Sequence, residues 1–217
     1  MLPTLDITSL CNEAGSFATT ETAHPEPSLF GVTDGKAVGT YLEHKFQAYL
    51  HTKYTYDEGS SAKGVDFPGL GVDMKVTSIK QPQSSSPFRS ARQKVLGLGY
   101  SLLVFVYNKT DDEATRTARL EIVHTVFVES GRTADYQTTR GLRDIIDRDG
   151  NLEDLVAFMS DRNLPFDETE AIKLAEELLT SPPELGYLTI SNALQWRLQY
   201  KRVIDVAGSI DGILRIG

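Results

Sequence analysis

Apolar residues recur with a clear period in only part of this chain. Val38, Leu42, Phe46, Tyr49 and Leu50 share one face of a 3.6-residue repeat, which predicts an amphipathic helix over 36–53. The stretch 64–79 alternates instead. It reads as two short strands, 64–67 and 71–79, joined by a turn at Pro68-Gly69-Leu70-Gly71. The segment 81–87 is polar and reads as a loop, followed by a helix over 88–98. The continuous apolar run 102–107 has the length and composition of a buried strand, and 118–129 alternates like another.

Beyond residue 133 the pattern turns helical, with segments at 138–148, 151–161, 167–180 and 189–201, punctuated by Pro165, Pro182 and Pro183. Residues 1–30 are rich in Thr, Ser, Pro and Glu, with little periodicity, and read as an irregular arm with at most one short helix. The tail 202–216 fits either two short strands around Gly208 or a frayed helix. The order of elements predicts an α/β fold: a mixed β-sheet core flanked by helices, with a mainly helical C-terminal half. The length of 217 residues suits one domain with three parts: the arm 1–30, a core 31–130 and a helical part 131–217.

Composition narrows the setting. No run of 18 apolar residues occurs, and the N-terminus lacks the basic and apolar regions of a signal peptide. The single cysteine, Cys11, cannot form an internal disulfide, and nothing nearby in sequence marks it as a nucleophile. Together these features point to the cytoplasm and away from a membrane. The net charge of −8 argues mildly against a nucleic-acid partner, but the charges are segregated. Between Met74 and Thr110 there is no Asp or Glu, while Lys75, Lys80, Arg89, Arg92, Lys94 and Lys109 all fall there. Arg197, Lys201 and Arg202 form a second basic group, and acidic residues crowd into 144–184. A phosphate backbone responds to such local fields.

The chemistry concentrates in GVDFPGLGVDMKVTS, residues 64–78. Period-2 alternation sends Val72, Met74 and Val76 to one side of the second strand, and Asp73, Lys75 and Thr77 to the other. The turn can bring Asp66 to the face of Asp73. Adjacent carboxylates repel unless positive charge lies between them. Lys75 supplies some, and a divalent cation would supply more. Mg²⁺ suits such a site because it binds through few carboxylates and keeps its waters. The four histidines show no metal spacing, and GLGVDMK lacks the Walker pattern.

Asp66 followed by Asp73-Met74-Lys75 on a hairpin resembles the PD-(D/E)xK nuclease superfamily, which includes most type II restriction endonucleases. A helix bearing Glu43 before the hairpin, and a helix plus apolar strand after it, extend the resemblance over residues 36–130. Two features depart from the pattern: Val65 stands where the motif has Pro, and the two aspartates are close in sequence. The resemblance implies a sheet flanked by helices and Mg²⁺-dependent hydrolysis of double-stranded DNA. Asp66, Asp73 and the Met74 backbone carbonyl would be metal ligands, Glu43 an additional acid, and Lys75 the residue that positions water. From the helix after the catalytic strand, the resemblance implies a role for Gln93 or Lys94.

DNA contacts are expected from the polar loop, with Lys80, Gln81, Gln83 and Ser84, and from Arg89, Arg92, Gln93 and Lys94. The stretch TISNALQWRLQYKR adds Arg197 and Lys201 beside Trp196 and Tyr200, which share a face if the segment is helical. A double-strand cut by a chain with one such constellation predicts a homodimer. Two alternatives stand beside restriction: a repair or recombination nuclease of the same fold, and a catalytically idle DNA-binding module.

Overall fold

The computed structural model describes residues 2–59, 64–86, 90–191 and 196–217. The chain folds as α1 (Ile7–Thr22), β1 (Pro25–Glu26), α2 (Gly35–His51), β2 (Val72–Ser78), β3 (Gln83–Ser86), α3 (Arg92–Leu96), β4 (Ser101–Asp112), β5 (Thr117–Val128), α4 (Tyr136–Ile146), α5 (Leu152–Asp161), α6 (Glu168–Thr180), β6 (Thr189–Ile190), β7 (Trp196–Gln199), α7 (Lys201–Val206) and β8 (Ile213–Arg215). The predicted α/β class with a mixed sheet is what is found. The main sheet runs β1-β5-β4-β2, with β8 also on β5. β2 lies parallel to β4, and β4 and β5 form a long antiparallel hairpin.

Register explains how one sheet serves two layers. Met74 lies beside Leu103, and Val76 beside Phe105; Asp73, Lys75 and Thr77 lie beside Leu102, Val104 and Val106. Val72, Met74, Leu103, Phe105 and Tyr107 join the core under α1 and α2, where Phe46 meets Phe17 at 5.0 Å and Phe105 at 5.2 Å between ring centroids. Leu102, Val104 and Val106 face the other way, into a second core with Leu188, Ile190, Trp196, Leu198 and Tyr200. A third core holds α4, α5 and α6 together through Leu142, Leu155, Met159, Leu174 and Leu178.

Several expectations need correction. The supposed arm 1–30 contains a 16-residue helix capped by Asp6, whose side chain accepts the Ser9 N–H at 2.7 Å. Leu10, Ala14, Phe17 and Ala18 of that helix are core residues. Small and polar residues between them hid the stripe; burial against the sheet, rather than propensity, makes the helix. The loop 81–87 contains a strand, β3, paired antiparallel with β7. The helix expected over 189–201 is instead β6 and β7. Trp196, Leu198 and Tyr200 alternate inward and share a face by a period of 2, so the helical spacing of Trp196 and Tyr200 was coincidental. The C-terminal third is therefore three helices followed by strands, and its tail combines both readings: a short helix ended by Gly208 at φ +81°, then β8.

The strand expected over 64–67 does not form. Only Phe67 pairs, donating its N–H to the Val72 carbonyl at 2.9 Å and accepting from the Val72 N–H at 3.2 Å, across a turn that Gly71 closes at φ +62°. Phe67 is 1% exposed and anchors this turn in the first core. Phe67→Ala should therefore cost about 3–5 kcal/mol of stability, read by denaturant unfolding. A loss under about 1 kcal/mol would show that the turn is held by its backbone alone.

Candidate active site

The turn decides where Asp66 goes. After the Phe67–Val72 pair, a regular hairpin would offer a backbone carbonyl to the next outward-pointing N–H of β2, that of Met74. Here the Asp66 carboxylate takes that place, accepting the Met74 N–H at 2.7 Å. In a strand the N–H and C=O of one residue point to the same side, so the Met74 carbonyl opens on this edge as well. β2 is the border strand of the main sheet, so the edge is not covered by another strand of that sheet.

Asp73 points into the second layer, beside Leu102, and is 3% exposed. Lys75 lies two residues on, and its Nζ meets Asp73 Oδ2 at 2.7 Å. Burial pushes the Asp73 carboxyl up to about 7. Lys75 opposes that rise, and the nearby Asp66 carboxylate adds to it. Burial works against the Lys75 ammonium too, but Asp73, Asp66 and Tyr100 more than offset it and hold its pKa above the ordinary lysine value. The lysine is thus a fixed cation between two acids. Glu43, half-buried on α2 one position beyond Leu42, is raised by burial and by Asp66, with Lys75 and His44 opposing. It faces the cluster electrostatically. Among the described residues, no group of three or more His, Cys, Asp or Glu side chains is arranged to hold a metal ion. The oxygen groups gathered near this edge are the Asp66 and Asp73 carboxylates and the Met74 main-chain carbonyl, with Glu43 beside them.

The second sheet, β3-β7-β6, is fastened to β2. Thr77, on the same face as Asp73 and Lys75, accepts the Gln83 N–H at 2.9 Å, and its hydroxyl lies 3.0 Å from the Gln83 carbonyl. Ser84 turns inward to bond the Tyr200 hydroxyl. Tyr200 is fully buried, and burial raises its pKa; Ser84 opposes the rise, while Asp73 and Tyr100 strengthen it. Tyr100 and Tyr200 thus belong to the electrostatic surroundings of Lys75 and Asp73, which sequence patterning did not reveal. The available signal for Tyr200 was inward alternation with Trp196 and Leu198, masked by reading the segment as a helix.

The other predicted residues scatter. Lys80 and Gln81 are exposed beyond the end of β2, and Gln83 is half-buried on β3. Arg92 pairs with Glu177 on α6. Gln93 donates to the Leu98 carbonyl at 2.9 Å. Lys94 is 3% exposed, 5.9 Å from the Trp196 ring centre; burial lowers its pKa against the pull of Asp135. Arg197 is exposed on β7, and Lys201 pairs with Asp205 at 3.3 Å on α7. Arg89 lies outside the described residues. No described helix is long and apolar enough to cross a membrane.

Comparison with known proteins bears on the chain as a whole. A family model described as Type II restriction enzyme NspV matches residues 4–215. The chain is 62% identical over 212 residues to the Type II restriction enzyme NspV of Nostoc sp. (strain ATCC 29411 / PCC 7524), covering 98% of this chain and 96% of the other. No solved structure gives a significant match.

Proposed function

The chain belongs to the NspV family of type II restriction enzymes, and on that premise we propose that it cuts double-stranded DNA at a Mg²⁺ site built from Asp66, Asp73 and the Met74 carbonyl. A type II restriction enzyme is a sequence-specific DNA endonuclease. Family membership supports that role over a repair nuclease or an idle binding module. The observation that carries the assignment of residues is the cluster on the border strand: Asp66 locked by the Met74 N–H at 2.7 Å, and Asp73 paired with Lys75 at 2.7 Å.

The donor set fits Mg²⁺. It offers two carboxylates and one carbonyl, and leaves the remaining positions to water and phosphate oxygens, as that ion prefers. When bound, Mg²⁺ would polarise the scissile phosphate and make a coordinated water more acidic. The chain's own groups do the rest. Asp73 and Asp66 supply the negative charge that fixes the cation at the sheet edge. Lys75, held protonated by both aspartates, directs its N–H groups at the water and at charge developing on the phosphate. Glu43 is an additional acceptor that can orient the same water.

One centre hydrolyses one strand at a time and one chain supplies one centre, so paired cuts at a palindrome are most simply made by two copies. A homodimer of about 48 kDa, twice the 24.0 kDa chain, matches its two-fold axis to that of a palindromic site.

Three outcomes test this reading. Asp73→Asn should abolish Mg²⁺-dependent cleavage of plasmid DNA while DNA binding in a gel-shift assay persists; cleavage within tenfold of the parent would remove Asp73 from the active site. Lys75→Ala should lower the single-turnover rate by roughly 10²–10³ with an unchanged circular dichroism spectrum. A collapsed spectrum would make the lysine a structural element instead. Sedimentation at micromolar concentration should give the dimer mass, and a monomer that still makes paired cuts on linear DNA would overturn the dimer.

A further inference from the structure

We propose that the outer face of the β3-β7-β6 sheet reads base edges in the DNA major groove, with Gln83, Gln199 and Arg197 as specificity-determining side chains. This rests on the restriction reading above and names the part of the molecule that selects the sequence.

The face follows from register. On β7, Trp196 and Leu198 turn into the core, whereas Arg197 and Gln199 are exposed. β3 runs antiparallel to β7 with Gln83 directly opposite Gln199 and Ser85 opposite Arg197. Residues directly opposite one another share a face, so these four side chains form one patch, and Thr189 of β6, opposite Gln199, extends it. The three strands, QSSS, WRLQ and TI, contain no Asp or Glu, in a chain with 30 acidic residues. The exposed positions of β5, by contrast, mix Arg119 with Glu121.

The chemistry of the patch is that of base recognition. A glutamine amide presents one donor and one acceptor, which match adenine N7 and N6; an arginine matches guanine O6 and N7. An antiparallel ribbon has the width to enter the major groove. The ribbon is also tied to the cutting residues. Only residues 79–82 separate β2 from β3. Thr77 holds Gln83 at 2.9 Å, Tyr200 donates its N–H to the Pro82 carbonyl at 2.8 Å, and Ser84 bonds the Tyr200 hydroxyl. A reader fixed in this way to Asp73 and Lys75 sets a constant distance between the bases read and the bond cut.

The test uses the full chain and a duplex carrying the parent's own site, first mapped from its cuts in a sequenced plasmid. Binding of this duplex and of single-substituted duplexes is measured with Ca²⁺ replacing Mg²⁺. Gln83→Ala, Gln199→Ala and Arg197→Ala should each reduce the ratio of cognate to substituted binding by about tenfold or more, at a subset of base positions. Gln199→Glu, which keeps the size but adds a charge, should lose cognate binding outright. None of these residues is in the core, Arg197 and Gln199 being exposed and Gln83 half-buried, and circular dichroism checks that the fold is kept. If all three alanine variants keep the parent's ratio, the proposal falls, whatever Asp73→Asn does to cleavage. It also falls if a variant loses the dimer in sedimentation but keeps the ratio, since the face would then meet a second copy. Failure of the parent to cut with Mg²⁺ would instead count against the catalytic assignment.

Discussion

Two carboxylates, Asp66 and Asp73, are held close enough that the Asp66 charge raises the proton affinity of Asp73, and the structure keeps them together with two different donors. The Met74 N–H holds Asp66 and the Lys75 ammonium holds Asp73. Both donors come from adjacent residues of one strand, pointing in perpendicular directions: a backbone group in the plane of the sheet and a side chain out of it. The arrangement therefore needs a border strand with a free N–H, and a preceding segment that fails to become a strand. If 64–67 paired regularly, a carbonyl would take the Met74 N–H and Asp66 would lose its place.

That requirement shapes the two layers. β2 is apolar on one face, where Val72 and Met74 pack under α1 and α2, and charged on the other. A charged face cannot be buried without partners, yet Asp73 is 3% exposed. The small sheet resolves this. It covers the apolar part of the same face, over Leu102, Val104 and Val106, and brings Thr77, Ser84 and Tyr200 into hydrogen-bonded contact around the polar part. The result is a largely dry environment in which charge–charge interactions are stronger than in water, open toward the sheet edge where Asp66 sits.

The same covering sheet has a second face, and its character differs from that of the chain at large. Family membership makes this a restriction enzyme, a class that must both choose and cut. On the proposed reading, the two tasks fall to a strand that carries acids and lysine and a ribbon that carries amides and arginine, joined by residues 79–82. The three-helix cluster of α4, α5 and α6 packs through its own core, and the segment 135–184 that contains it carries 13 of the chain's 30 acidic residues.

Read alone, the sequence determined the mixed α/β class, α2, β2, β4, β5 and the three helices α4, α5 and α6, because each carries a periodic apolar pattern of its own. It also placed Asp66, Asp73 and Lys75 in one neighbourhood, since a short turn and strand alternation are local properties; Glu43 was added only through the family resemblance. It did not reveal α1, whose apolar stripe is diluted with Ser, Thr and Gly, nor β3, whose QSSS has no apolar residue. It misread β7, where Trp196 and Tyr200 fit a helical period as well as an alternating one. These elements owe their form to partners distant in the chain: β3 exists because β7 supplies its hydrogen bonds, and α1 because the sheet buries its stripe. Pairing with a strand more than a hundred residues away leaves no periodic trace in β3, and the alternation in β7 is too short to exclude a helix. For that reason the cluster of Asp66, Asp73 and Lys75 was legible in the sequence, while its buried tyrosines and the polar ribbon beside it were decided by the tertiary structure.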